Sequence, residues 1–363
     1  MLNSEEILKF LKATDEETLA ELWRRADTVR RECVGDAVHL RGLIEISNYC
    51  QANCAYCGIR AGNTRIPRYR MEIGEIVTQV KLAEKFGYGT VVLQSGESPA
   101  RMPGAWVTEL VREIRRNSPL AITLSLGERP GRDYADFAAW KDAGANRYLL
   151  RFETGNAELF SRLHPNHPGL AVRLKSLKRL RELGYELGSG VMVGIPGETW
   201  EDLAADIRMF QALDLDMIGV GPFLPHADTP LGCAFLAGEA HSEVPNDELT
   251  TLKTVALTRL MRPLANIPAT TALAAIDPVE GYESGLSRGA NIIMPNLTPA
   301  KYRQLYEIYP AKTRTADAAE IFDSRLKERI LTAGREIGSG AGNSVNFGFS
   351  FHEKHEKNGN EII

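Results

Sequence analysis

Cys50, Cys54 and Cys57 lie together in the string CQANCAYC. Three thiols at this spacing on one loop can wrap a single metal centre, and they are too crowded to pair off as disulfides. A tetrahedral structural zinc site wants a fourth ligand. The next cysteine is Cys233 and the next histidine is His164, so none is close in sequence. A 4Fe–4S cluster held by three cysteines would leave one iron open to a substrate or cofactor. A zinc or plain redox site is the alternative. Cys33 and Cys233 stand alone, and Cys233 reads as a core or surface thiol.

The elements that position this loop follow a rhythm. β-rich runs occur at 39–46, 90–94, 121–125, 147–151, 187–193, 217–221, 268–272 and 291–294. Between them lie mostly helical stretches: 72–86, 105–116, 133–143, 156–183, 201–213, 247–261 and 279–288. Gly87, Gly144, Gly184 and Gly289 stand just past helix ends, where a left-handed residue terminates a helix. Alternation of strand and helix means parallel strands with crossover helices. Eight such units predict a (β/α)8 TIM barrel. An open doubly wound sheet is the alternative, weakened by the absence of a G-x-G-x-x-G turn after the first strand.

Residues 1–38 read as an N-terminal helical cap. Asn3 or Ser4 opens one helix, with Ile7, Leu8 and Leu11 on one face, and a Thr14–Glu17 capping box opens the next. Residues 39–310 form the expected barrel. Residues 311–363 form a C-terminal extension, polar and glycine-rich after about 336, which reads as peripheral and partly flexible. Its His352 and His355 read as solvated rather than as metal ligands.

In a barrel of this kind the active site lies at the carboxyl ends of the strands. Those ends are polar here: Ser47-Asn48, Gln94 to Glu97, Ser125 to Glu128, Arg151 to Thr154, Val193 to Gly197, Gly221 to His226, Thr270-Thr271 and Pro295-Asn296. Together they would converge on one mouth. The chain has 363 residues, 43 basic and 47 acidic side chains and a net charge of −4. This balance gives no bulk case for nucleic acid or an anionic membrane as partner. No apolar run is long enough to span a bilayer, and the acidic amphipathic start is no signal peptide. Five cysteines make no disulfide framework, so a cytoplasmic setting is expected.

The cysteine loop, with Tyr56 just before its third thiol, resembles that of the radical S-adenosylmethionine (SAM) superfamily. That resemblance implies one 4Fe–4S cluster on Cys50, Cys54 and Cys57, whose open iron chelates SAM. One electron then cleaves SAM to methionine and a 5′-deoxyadenosyl radical. By the same resemblance, Glu153 and Arg173 would take the amino and carboxylate ends of the methionine moiety. Ser125 would hydrogen-bond the ribose or methionyl group. Tyr56, Met192 and Val193 would contact adenine and ribose, with Gly188, Gly190, Gly194 and Gly197 allowing close backbone approach. Arg173 in a surface salt bridge and Met192 in the core are the alternatives.

Longer strings, among them NYCQANCAYCGIR, VVLQSGE, TLSLGE, RYLLRFET, VMVGIPGET and GPFLPHADTPL, are similar to the HydE family of FeFe-hydrogenase maturases. The likeness runs from about residue 30 to about 310. Methylornithine synthase and biotin synthase are near kin. It implies H-cluster assembly, with radical attack on the sulfur of a cysteine-ligated organometallic iron precursor. Ser95, Thr123, Arg147, Arg151, Thr270, Thr271 and Tyr302 would line an internal anion-binding cavity. For the two arginines a structural ion pair with Glu128 or Glu153 is the alternative. The expected partners are a small-molecule or organometallic substrate, a reductant protein and other maturases. Many members carry a second cluster site near the C-terminus. Here Arg314, Phe322 and Arg325 fall where its ligands would be, so a single cluster is expected. A mutase acting on another small molecule and a non-enzymatic Fe–S or zinc scaffold remain the competing readings.

Overall fold

The structure is a computed structural model, and it describes residues 2–129, 131–310 and 319–347. Eight strands are present among these: β1 (Ala37–Ser47), β2 (Thr90–Ser95), β3 (Ala121–Ser125), β4 (Arg147–Leu149), β5 (Glu186–Val193), β6 (Met217–Pro222), β7 (Ile292–Ile293) and β8 (Glu336–Ile337). The helices are α1 (Ser4–Lys12), α2 (Glu16–Val34), α3 (Ile73–Lys85), α4 (Gly104–Asn117), α5 (Gly131–Asp142), α6 (Ala157–Leu163) and α7 (Leu170–Glu182). They continue with α8 (Trp200–Ala212), α9 (Pro230–Leu236), α10 (Glu248–Met261), α11 (Thr271–Ile276), α12 (Gly281–Ser287), α13 (Ala300–Arg303) and α14 (Ala319–Thr332).

Seven strands pair in parallel in the order β6-β5-β4-β3-β2-β1-β7. The run expected as a strand at 268–272 is not one. Thr270 instead caps α11, its hydroxyl accepting from the Leu273 N–H at 3.3 Å. A β-branched pair that reads as strand therefore opens a helix. Residues 266–269 still bridge the gap. Ile218 N–H donates to the Asn266 carbonyl and Ala269 N–H to that of Ile292, both at 2.9 Å. Those bonds join β6 to β7, so the ring closes as a TIM-type barrel near the starts of its strands.

The predicted helix at 156–183 is two helices. Pro165 and Pro168 break it, and Gly169 turns the chain at a φ of +115° before α7 begins. At the N-terminus Asn3 and Glu6 form a capping box for α1, as expected of Asn3. The second box does not form. Asp15, not Thr14, caps α2 by accepting from the Thr18 N–H at 2.8 Å. Ile7, Phe10 and Leu11 bury one face of α1. The buried Lys253 of α10 donates to the Leu11 and Ala13 carbonyls, fastening the cap to the barrel.

The largest departure concerns the tail. Residues 336–347 are not peripheral. β8 pairs with the start of β1, and the chain then crosses the amino-terminal end of the barrel. There Arg147 donates to Glu186 at 2.5 Å, to Thr90 and the Ala341 carbonyl at 2.9 Å, and to Asn343. Arg41 donates to the Gly342 carbonyl at 2.9 Å, and Ser344 N–H to Glu186 at 2.9 Å. A side chain on Gly89 would run into the Gly340 carbonyl. Small residues let the segment lie against the ring, and its polar groups satisfy a charged floor.

Candidate active site at the barrel mouth

Local bonds explain why the cysteine loop holds its shape. Ser47 ends β1 and donates its hydroxyl to the Tyr69 carbonyl at 2.8 Å. Asn48 donates to the carbonyls of Pro67 and Leu305. Arg68 braces the loop from within, donating to the carbonyls of Asn48, Ile59, Arg60 and Asn63 at 2.6 to 2.9 Å. The loop is tied outward as well. Ala55 N–H donates to the Leu163 carbonyl at 2.8 Å, and Gly58 N–H to that of Ile308 at 3.1 Å. Cys50, Cys54 and Cys57 are each half-buried, and no disulfide joins any of the five cysteines.

The three sulfurs share one environment. Burial pushes the Cys54 thiol up, and its neighbours Cys57 and Cys50 push it further. Burial likewise raises Cys50. Thiols so placed resist ionising alone, and bound iron is what would hold them as thiolates. Among the described residues no three His, Cys, Asp or Glu side chains converge tightly enough for a single ion. A four-iron cubane spreads its ligands over several metals, so the donor set of three cysteines fits it.

Glu153, Tyr56 and Arg173 meet beside the loop. The Tyr56 hydroxyl lies 3.4 Å from Glu153 and 3.3 Å from the ring of His164. Glu153 adopts a left-handed backbone, φ +66°, uncommon for a residue with a side chain. It is held there by its N–H donating to the Gly190 carbonyl and its own carbonyl accepting from Met192 N–H. One of its carboxylate oxygens accepts no hydrogen bond and faces Arg151 at 3.1 Å. Backbone strain that aims a carboxylate is a mark of functional sites. Arg173 is buried rather than solvated: it pairs with Glu128 and donates to the Arg151 carbonyl. Glu128 also meets His167 at 3.2 Å. Burial alone would raise the Glu128 carboxyl, but His167 and Arg173 outweigh it and hold it below the usual range.

The other candidates separate. Ser125 ends β3 beside Gln94 of β2. Met192 packs with Leu159, Leu163, Ile195 and Phe223, next to Tyr56. The Val193 side chain belongs instead to the main core, so only its backbone could meet a ligand. The close approach at Gly190 is between strands, because a side chain there would strike the backbone of Gly219. Gly194, at φ +77°, presses on Asn246. Ser95 donates to the Gly96 carbonyl, and Thr270 is spent on its cap and on Val220. Thr271 shares a 2.7 Å hydrogen bond with Tyr309. Thr123 is fully buried with its hydroxyl unpartnered, level with Arg147.

Two cavity assignments need correction. Arg147 lies in the floor, at the end of the barrel away from the cysteines, where Glu186 and the tail saturate it. It starts β4, whereas mouth residues follow strand ends. Tyr302 faces outward, stacked 4.6 Å from Tyr69 and hydrogen-bonded to Glu75 of α3. The inward aromatic groups of that segment are the buried Tyr306 and the half-buried Tyr309; burial raises the Tyr306 hydroxyl, and Glu45, Tyr69, Cys57 and Cys50 add to it. Of the second-cluster positions, Phe322 packs on the core from α14, and Arg314 lies outside the described residues.

Sequence reasoning gave no site role to His164 or His167, set Glu97 only among the polar strand ends, and gave Glu128 only an ion pair with an arginine. Glu97 accepts from Glu128 N–H at 2.7 Å, and its charge is felt at Cys50 and Cys54. Glu97 and Glu128 both stand in the polar strand ends, which was their signal. The histidines sit in the Pro-broken turn between α6 and α7, which a single long helix concealed.

Two buried carboxyls support this mouth from behind. Asp206 accepts from Gly155 N–H and Glu198 from Gly194 N–H, both at 2.6 Å. Burial raises both well above the usual carboxylate range, and Asp206 adds to the effect on Glu198. In the unfolded chain such groups ionise near pH 4, so native stability falls as pH rises from there through their raised values. Asp206→Asn is expected to flatten that fall, so that the variant loses less stability than the native chain between pH 5 and pH 8. Urea unfolding at pH 5 and pH 8 measures it; equal slopes for both proteins would contradict the assignment.

The Radical SAM superfamily model matches residues 44–210. The [FeFe] hydrogenase maturase subunit HydE of Thermotoga maritima is 50% identical over 291 residues, 80% of this chain and 79% of that protein. The 3-methylornithine synthase of Methanosarcina acetivorans is 32% identical over 294 residues, 80% of this chain and 79% of its own. Among solved structures, methylornithine synthase (PylB) superposes with a TM-score of 0.76 at 26% identity, covering 93% of this chain and 94% of that one. The maturase HydG from Carboxydothermus hydrogenoformans reaches 0.76 at 20% identity over 92% of this chain and 75% of its own, a likeness of fold.

Proposed function

The chain belongs to the HydE family of the radical SAM superfamily, and from that premise we propose that it is a radical SAM enzyme of FeFe-hydrogenase H-cluster assembly. The observation that carries the reading is the placing of Cys50, Cys54 and Cys57 on one braced loop beside Glu153, Tyr56 and Arg173. The three cysteines would hold a 4Fe–4S cluster. When bound, cluster and SAM supply one-electron cleavage of the cofactor's S–C5′ bond.

The chain's residues bind, orient and exclude water. Glu153 would accept from the ammonium group of the methionine moiety, its two carboxylate oxygens meeting the Tyr56 hydroxyl at 3.4 Å and Arg151 at 3.1 Å in the structure. Arg173 would face the carboxylate end while Glu128 and Phe160 fix it in place. Met192 and Tyr56 supply apolar surface for the nucleoside. Arg151 would present a cation to an anionic small-molecule or organometallic substrate; its Nε has no partner. Thr271, Tyr309 and Ser125 offer hydroxyls on the same side. Glu153→Gln is expected to raise KM for SAM by about tenfold or more, the loss of one charge-assisted hydrogen bond, while iron content stays unchanged. A KM equal to that of the native chain would remove Glu153 from the cofactor site.

We further propose a single cluster, a cytoplasmic setting and a reductant protein as electron source. Residues 49–70 hold Arg60, Arg65, Arg68 and Arg70 without an acidic side chain; Arg68 is spent inside the loop, and the exposed Arg65 pairs with Asp228. An acidic electron carrier would suit that surface. Among the described residues no helix is long and apolar enough to cross a membrane. Complementation of a hydrogenase maturation system lacking its HydE tests the subtype. Restored hydrogenase is expected. No restoration, with lysine isomerised instead, would make the protein a methylornithine synthase-like mutase.

A further inference from the structure

We propose that His164 is a positioning residue: it holds the Tyr56 hydroxyl and so keeps Glu153 available to the ammonium group of a bound amino-acid ligand. This deepens the reading above and rests on it. His164 Nδ1 lies 2.9 Å from the Phe160 carbonyl, which only accepts. That nitrogen therefore carries the hydrogen, and Nε2 is an acceptor. The Tyr56 hydroxyl stands 3.3 Å from Nε2 and 3.4 Å from a Glu153 oxygen. It has one proton and two acceptors.

The surroundings keep the histidine an acceptor. The ring is buried, and burial followed by the Arg173 charge brings its pKa down to about 3, so it stays a neutral acceptor. Phe160 packs against it at 4.2 Å, and Tyr56 meets it edge-on at 5.7 Å and 88°. Leu163, its neighbour in sequence, binds the cysteine loop through the Ala55 N–H. That bond keeps the backbone of His164 beside the loop. Without His164 the Tyr56 hydroxyl has Glu153 alone to bind, and it would then compete with an incoming ammonium group for that carboxylate.

The test uses the full chain, reconstituted with iron and sulfide, and reads iron content together with kcat and KM for SAM in 5′-deoxyadenosine release. His164→Phe is expected to raise KM about tenfold with iron and kcat near native values. Removing the competing hydroxyl as well, in His164→Phe with Tyr56→Phe, should return KM to within about twofold of native. His164→Gln keeps an acceptor for Tyr56 and a donor for Phe160, and should stay near native. An unchanged KM in His164→Phe, or a double variant no better than the single, overturns the proposal. If His164→Phe fails to take up iron, His164→Leu is read in its place: it also lacks an acceptor, the same tenfold rise in KM is expected, and an unchanged KM overturns the proposal. A native chain that takes up iron but cleaves no SAM would instead overturn the cofactor reading itself.

Discussion

Cys54→Ala protein, reconstituted under anaerobic conditions, is expected to retain less than about one iron per chain where the native chain takes up about four, and to release no 5′-deoxyadenosine. The size of the effect follows from the site. Cys54 is the central thiol of the loop, raised by burial and by Cys57 and Cys50 together. Glu97 lies close enough to add its negative charge. A cluster left with two thiolates has two open irons, and among the described residues no histidine or further cysteine is free to replace the third. His226 approaches the loop at Gly58 but pairs with Glu307 and accepts from Asp228 N–H. Cys233→Ala serves as the control. Its thiol is exposed and bonds only the Ala227 carbonyl, so iron content and turnover should match the native chain. A Cys54→Ala protein that keeps its iron would mean that another group supplies the third ligand.

The second large effect is on stability and lies at the opposite end of the barrel. Arg147→Met removes the partner of Glu186 where both side chains are shielded from water. Breaking a buried ion pair on one side costs about 3–5 kcal/mol, because a charge is left uncompensated. Ser344 N–H would remain as a donor to Glu186, one neutral bond against a lost cation. Arg41 also stands in this floor, its guanidinium brought down to about 9 by burial and by Arg147. Replacing both partners, as Arg147→Met with Glu186→Leu, should recover a good part of the loss. Gly89→Ala should destabilise through the tail instead, by pushing Gly340 off the ring. Urea unfolding of each variant gives the comparison. A loss below about 1 kcal/mol for Arg147→Met would mean that the floor holds its charges in another way.

Parallel strands and crossover helices were legible because each strand is a short apolar or β-branched run closed by glycine or polar residues. The cysteine loop was legible because its spacing is local. Long-range choices were not. Thr270-Thr271 read as strand because β-branched pairs favour strands, and the capping bond of Thr270 reversed that locally. The tail from 336 read as loose because glycine, serine and asparagine dominate it. Those same small polar residues fill a floor that only the closed ring creates. Arg147 and Arg151 look alike in sequence, four residues apart on one run. Only the barrel axis separates them: one begins β4 at the floor, the other follows its end toward the mouth. Tyr302, Tyr306 and Tyr309 posed the same problem, since three tyrosines within eight residues do not all face one way. The single-helix reading of 156–183 hid the turn holding His164 and His167, although its two prolines were in plain sight.

The most direct test is electron paramagnetic resonance of the reduced, reconstituted full chain before and after SAM is added, with 5′-deoxyadenosine measured in the same sample. The account predicts a 4Fe–4S signal that changes shape when SAM binds and a nucleoside product that vanishes with Cys54 substituted and needs more SAM with Glu153 substituted. A bound zinc with no such signal, or a cluster signal indifferent to SAM with no nucleoside released, would contradict it.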